Sequence, residues 1–235
     1  MFRPKVDYLS WHNRLRAQGR VQIPGILEDG YAEQIYAALC AETEWGLAYQ
    51  ASDQPQRIEH DAYGAMSAAK RAEQVARVAS AARGQFAYAY ESYSMMQRYA
   101  DPSRSEHVMR TLVDVFHHEP ILDFIRQLTG DQAVARVRVQ ATRYMPGHFL
   151  RCHDDTGYDS QKRRFGFVFN LARGWKADWG GLLHFLDAQG HVVDTFVPSY
   201  NSLSLFKVPQ YHCVSQVAEW AQAPRYALTG WLIGD

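Results

Sequence analysis

The residues best suited to chemistry stand at three places in the chain. In Cys152–His153–Asp154–Asp155, a histidine and a carboxylate sit two positions apart, just after a strand-like run. Residues i and i+2 of an extended chain project to one face, so His153 and Asp155 can grip one ion while Cys152 and Asp154 turn away. A second histidine, His212, follows 59 residues later, at the start of a strand-like run over 213–217. Two histidines and one carboxylate make a facial triad, which leaves open coordination positions and suits non-haem Fe(II). An isolated His-x-Asp is common, so the triad needs support, and Arg225 supplies it. It lies 13 residues past His212 and opens the run Arg225–Tyr226–Ala227–Leu228–Thr229–Gly230–Trp231, sharing parity with Thr229 and Trp231. An inward arginine beside a metal needs an anion, because a buried unpaired charge is costly. Its planar fork fits a carboxylate through two parallel hydrogen bonds. Open metal positions and a carboxylate clamp on the next strand describe a site for a 2-oxo acid, its keto-acid head on iron and its distal carboxylate at Arg225.

Other reactive side chains read as structural. His12, His60, His107, His117, His118, His148, His184 and His191 have no partners at ligand spacing and are assigned to surface or packing roles. His117 and His118 are adjacent, so one helix face cannot present both to one metal. Cys152 and Cys213 flank the two histidine ligands, and alternation turns both into the core behind the metal. Phe86, Tyr88, Tyr90, Tyr93 and Tyr99 are read as core and pocket lining. Gly180–Gly181 opens no helix and is a tight strand connection, not a phosphate loop.

The elements that must position these groups change character near residue 131. Before it, the spacing predicts a bent strand over 21–27, then helices over 28–42, 67–83 and 105–116, and one from Pro120 to a stop at Gly130. A strand carries the alternating Phe86, Tyr88 and Tyr90. Beyond 131 the period falls to two. Val137, Val139 and Ala141 alternate with Arg138, Gln140 and Thr142, and further strands are expected over 165–171, 182–186, 192–197, 202–208, 213–217 and 226–233. Short strands with regular Gly and Pro punctuation predict a sandwich or barrel. Tyr144, Thr142, Gln140 and Arg138 share a face opposite the apolar one, and the family resemblance set out below implies that this face points into the barrel mouth. Gln140, Arg138 and Trp231 are therefore the candidates to meet a substrate.

From Tyr144 to Trp231 the sequence resembles the 2-oxoglutarate and Fe(II)-dependent oxygenases, in particular their prolyl hydroxylase branch. The resemblance is carried by Tyr144–Met145–Pro146–Gly147–His148–Phe149–Leu150, His153–Asp154–Asp155, Phe169–Asn170–Leu171 with Trp175, Gly180–Gly181–Leu182–Leu183, His212–Cys213–Val214 and the Arg225–Trp231 run. It covers roughly 90 of the 235 residues. It implies an α+β fold, a double-stranded β-helix (jelly roll) over 131–235 with a helix-rich support over 1–130, in a single oxygenase domain. By resemblance His153, Asp155 and His212 hold Fe(II). Arg225, with Thr229 on the same face, holds the 2-oxoglutarate C5 carboxylate, and Tyr144 lies near the cosubstrate. Asn170 stands where many prolyl hydroxylases have a tyrosine that bonds that carboxylate, and its shorter amide is the expected substitute. The implied reaction consumes 2-oxoglutarate and O2, with ascorbate as an accessory reductant, and hydroxylates a C–H bond, foremost a prolyl residue of a protein or peptide. A free amino acid or other small molecule is the alternative substrate, and a non-catalytic jelly-roll binding module the rival from another class. Lid candidates are the 156–163 loop and the alanine-rich 67–83 helix.

Composition narrows the field further. Twenty-five basic and 25 acidic residues cancel, at a pI near 7.2, which gives no basic excess for nucleic acid. No apolar run reaches the ~20 residues of a membrane span. Three scattered cysteines predict no disulfide framework. The opening segment has no apolar signal region, so the expected location is the cytoplasm.

Overall fold

The computed structural model describes residues 3, 7–41, 43–99, 108–156 and 162–234. Among these, twelve strands join into one sheet that curls into a nearly closed, barrel-like jelly roll. In chain order they are β1 (Arg20–Pro24), β2 (Gly46–Gln50), β3 (Gln56–Ile58), β4 (Tyr88–Tyr93), β5 (Val134–Tyr144), β6 (Phe149–His153), β7 (Arg163–Asn170), β8 (Leu183–Leu186), β9 (Val192–Phe196), β10 (Ser202–Lys207), β11 (His212–Val214) and β12 (Arg225–Gly234). The spatial order is β1-β10-β7-β12-β5-β4-β6-β11-β8-β9, with β2 beside β4 and β3 beside β2. Every pairing is antiparallel. The helices are α1 (Tyr8–Gln18), α2 (Asp29–Ala41), α3 (His60–Gly64), α4 (Ala68–Ala81), α5 (Met95–Tyr99), α6 (Val108–His117) and α7 (Glu119–Thr129). None is long and apolar enough to cross a membrane.

Alternation divides the apolar residues among three clusters. On β5, Val137, Val139 and Ala141 turn toward the helices; Phe167 and Phe169 of β7 and Leu228 and Leu232 of β12 do the same. They meet Leu112, Val113 and Phe116 of α6 and Leu122, Ile125 and Leu128 of α7. Each of those helices has one apolar stripe, so packing on the sheet supplies most of its stability. A second cluster packs Val75 and Val78 of α4 onto Leu47, Ala87, Ala89 and Phe149. The third lies inside the barrel, with Tyr144, Val168, Phe185, Phe206 and Val214.

The first 130 residues supply strands as well as helices. They contribute β1 to one edge of the sheet and β2, β3 and β4 to its wall. The helix expected over 105–116 begins at Val108 among the described residues, and positions 105–107 lie outside them. The stop at Gly130 has its reason in the backbone: it takes φ 70° and returns its N–H to the Arg126 carbonyl, a left-handed cap that glycine adopts without a Cβ penalty. The α1 helix has no counterpart in the sequence reading. Only Leu15 is buried along its length, so it shows no apolar stripe to detect.

Candidate metal centre

Two strands bring the histidines together. β11 pairs with β6 so that His212 faces His153, and Val214 then faces Leu150. Two steps on β11 thus match three on β6, which is a β-bulge. The extra residue lets Leu150 and His153 both line the interior cavity, while Arg151 and Cys152 do not. Bulges re-aim side chains in this way.

The expected i, i+2 geometry of His153 and Asp155 is replaced by a turn. β6 ends at His153, and Asp155 takes φ 65°, a left-handed conformation uncommon for a residue with a Cβ. The turn swings the carboxylate back under the two imidazoles. His153 Nε2 is 3.5 Å from Asp155 Oδ1, and His212 Nε2 is 3.6 Å from Asp155 Oδ2. One ligand atom from each of the three residues lies within 4.8 Å of the other two, the only such cluster among the described residues.

Tautomers follow from the partners. His153 Nδ1 is 3.0 Å from the Arg151 carbonyl and His212 Nδ1 is 2.8 Å from the Gln210 carbonyl. A carbonyl only accepts, so each Nδ1 carries the proton and each Nε2 offers a lone pair to the cavity. Burial pushes the His212 imidazole down to about 4, with His153 adding to the fall, so it is neutral at physiological pH. Burial also pushes the Asp155 carboxyl up, but His153, His212 and the Trp231 indole together outweigh it and hold it below its ordinary value. Two imidazole nitrogens and a carboxylate thus converge on one point. The donor set and its convergence fit a divalent cation with open positions, Fe(II) above all.

The cavity encloses about 880 Å³ and runs from this triad to the barrel floor. Arg225 ends it. The residue is 2% exposed, its Nε has no partner, and its guanidinium carbon lies 5.0 Å from the Tyr144 ring centroid. Burial lowers the guanidinium's hold on its proton, the cost of a charge kept without a counter-ion. That orphaned donor fits an acidic ligand group. Tyr144, Thr229, Gln140 and Trp231 line the same cavity, and β12 lies beside β5 with Arg225 opposite Tyr144.

Two candidates fall outside the lining. Asn170 is buried beside the barrel floor and donates from Nδ2 to Ser204 Oγ (3.2 Å) and Ser202 Oγ (3.4 Å). Those hydroxyls hold the amide nitrogen, and its Oδ1 is buried without a partner. Arg138 shares the parity of Gln140 but is exposed, because β5 runs on past the rim, where Arg138 pairs with Trp231. Cys152 also departs from expectation: the bulge turns it to solvent rather than into the core, and Cys213 is half-buried.

Sequence reasoning missed several lining residues. Arg163 lies 4.1 Å over the Trp231 ring and 3.6 Å from Asp155 Oδ1. Gln50 at the end of β2, and Ser52, Asp53, Gln54 and Pro55 between β2 and β3, also line the cavity, whereas no residue of α4 does. Of the other expected lid, residues 157–161 lie outside those described. Phe86, Tyr88 and Tyr90 do line the cavity, as their alternation suggested. Tyr88 and Tyr90 stack at 5.4 Å, and Tyr90 and Tyr144 at 5.1 Å, a ladder that ends at Arg225.

Comparison with known proteins agrees with this geometry. Residues 139–233 match the family model of the 2OG-Fe(II) oxygenase superfamily. A mouse protein, prolyl 3-hydroxylase OGFOD1, is 28% identical over 118 residues, which cover 47% of this chain and 21% of that protein. The chain therefore spans about a fifth of that relative's length. Among solved structures, a Pseudomonas putida prolyl-4-hydroxylase superposes with a TM-score of 0.59 at 19% identity, covering 97% of this chain and 99% of that one. A Trichoplax adhaerens prolyl hydroxylase, solved with a hypoxia inducible factor peptide fragment, gives 0.61 at 15% identity, covering 97% and 89%. Residues 139–233 thus carry the similarity to the 2-oxoglutarate- and Fe(II)-dependent oxygenases.

Proposed function

We propose that the chain is a dioxygenase that hydroxylates a prolyl residue of a protein or peptide and releases succinate and CO2 from 2-oxoglutarate. The observation that carries this reading is the pairing of three convergent ligand side chains with a buried guanidinium whose Nε has no partner, in one cavity. When bound, ferrous ion would activate O2, which is the oxidant, with the 2-oxo acid giving up two electrons as it loses CO2, and this supplies the oxidising power for breaking an unactivated C–H bond. The chain's own residues bind, orient and shield. His153, Asp155 and His212 would hold the ion on one side only. Arg225 would take the distal carboxylate in a charge-assisted contact, with Tyr144 and Thr229 closing around it. No side-chain base or nucleophile is needed. The aromatic faces of Phe86, Tyr88 and Tyr90 keep the cavity apolar, and they offer flat surfaces against which a prolyl ring can pack. The names of the relatives support the prolyl substrate.

A succinate-release assay with Fe(II), 2-oxoglutarate and parallel panels of proline-containing peptides and free amino acids tests the reading. Peptide-dependent succinate, with one oxygen atom gained by the peptide, is the expected result. Succinate release driven only by small molecules would overturn the peptide assignment, and none with either panel would overturn the activity.

A further inference from the structure

Cys152 and Cys213 lie outside the cavity, yet each is the chain neighbour of a metal-site histidine. The register makes them neighbours of each other. His212 faces His153 and Val214 faces Leu150, so Cys213 faces the bulged pair Arg151–Cys152. The facing also agrees. Leu150, His153, His212 and Val214 line the cavity, and the residues between them do not. Arg151 turns outward, donating to the carbonyls of Ala82 and Gln85. Cys152 is exposed beside it and Cys213 half-buried. Opposed residues of antiparallel strands have Cα atoms ~4.5–5.5 Å apart, inside the ~4.4–6.8 Å that a disulfide spans.

We infer that Cys152 and Cys213 form a dithiol–disulfide pair on the outer face of β6 and β11, a redox modification site whose closure weakens metal binding at the triad. The oxidant is a hydroperoxide. The exposed Cys152 sulfur attacks one peroxide oxygen, the O–O bond breaks, and Cys152 becomes a sulfenic acid as the other oxygen leaves as water or alcohol. The Cys213 sulfur then displaces the sulfenic hydroxyl, which leaves as water with the Cys213 proton, and the S–S bond forms. Two electrons pass from the sulfurs to the peroxide.

Coupling to the metal follows from distances. Cβ atoms of an opposed pair lie ~4.5–5.5 Å apart, and a disulfide draws them to ~3.8 Å. The strands must therefore close by about 1 Å beside both histidines, whereas metal–ligand distances tolerate about 0.2 Å. Disturbance at this range lowers metal affinity on the order of tenfold or more.

The test uses the metal-free protein, reduced and then treated with hydrogen peroxide. Free thiols are alkylated and the peptides mapped without reduction. A linked Cys152–Cys213 peptide, two hydrogens lighter, is expected, with Cys40 fully alkylated as the internal control. Mn(II) affinity, read by electron paramagnetic resonance, should fall about tenfold on oxidation and recover with reductant. Cys152→Ser and Cys213→Ser should each make that affinity indifferent to peroxide. Over-oxidised Cys152 alone, or Cys152–Cys152 dimers, would overturn the pair. A linked peptide with unchanged Mn(II) affinity would overturn the coupling. Failure of the reduced protein to bind Mn(II) would sink the metal reading and the coupling with it, while the peptide map still decides the thiol pair.

Discussion

Two imidazoles and a carboxylate converge with their ligand atoms within 4.8 Å of one another, so the triad is a candidate metal site by geometry as much as by pattern. His153→Ala and Asp155→Ala should each abolish Mn(II) binding, read by paramagnetic resonance, while thermal unfolding of the metal-free protein stays near wild type. Retained binding in either variant would remove that residue from the site. Arg225 faces the complementary problem, a buried cation in want of an anion. Arg225→Ala should raise the KM for 2-oxoglutarate by roughly 10- to 100-fold, since a charge-assisted contact contributes ~1.5–3 kcal/mol. Arg225→Lys should recover only part of that loss, because a point charge lacks the fork. An unchanged KM in Arg225→Ala would remove the main support for a 2-oxo acid. Arg225 was legible because strand parity fixes its face, whereas His153 and Asp155 were named from a His-x-Asp spacing whose strand geometry a turn at Asp155 replaces. Arg138 shows the limit of parity: alternation gives the face of a strand but not where the barrel rim cuts it. Arg163 had no motif at all, since its partners Asp155 and Trp231 come from elsewhere in the chain.

Strand β12 is where backbone spacing constrains the sequence most tightly. Gly230 lies between Thr229 and Trp231, and a Cβ there would meet the Arg138 carbonyl oxygen at 1.8 Å. The obstacle is backbone of the paired strand, which cannot swing aside as a side chain would. Gly230→Ala should destabilise the fold by about 1–3 kcal/mol or more, a drop in the urea midpoint with the denaturant slope unchanged. A wild-type midpoint would mean β5 yields more easily than its pairing implies. At this scale, α7 was readable because it combines Pro120 near its start, one apolar face and a glycine stop. The bulge between Leu150 and His153 was not, because it is a property of two strands in register and neither sequence contains it alone. The β2–β3 pair was missed for a related reason: three residues of β3 are too few to show a period.

Over the whole molecule, buried histidines tie stability to pH. Burial depresses His148 below its ordinary value and His212 to about 4. Above about pH 6.5 both are neutral whether folded or unfolded, so they cost nothing. Below it the unfolded chain takes up protons first, and stability falls as pH drops toward 4, by roughly 3 kcal/mol for His212 alone. Urea midpoints of the metal-free protein at pH 7.5, 6 and 5 should therefore decline in that order, and a flat or rising series would contradict the burial of these imidazoles. A different consequence follows from the strand order. β12 fits between β5 and β7, pairing with both along nearly its whole length. During synthesis β5 and β7 leave the ribosome well before it, and neither finds its central neighbour until residues 225–234 emerge. Until then the nascent chain exposes two strand edges to the cell, an invitation to aggregation. Chains truncated before Arg225 should collect in the insoluble fraction on expression, whereas chains ending at Gly234 should remain in the supernatant.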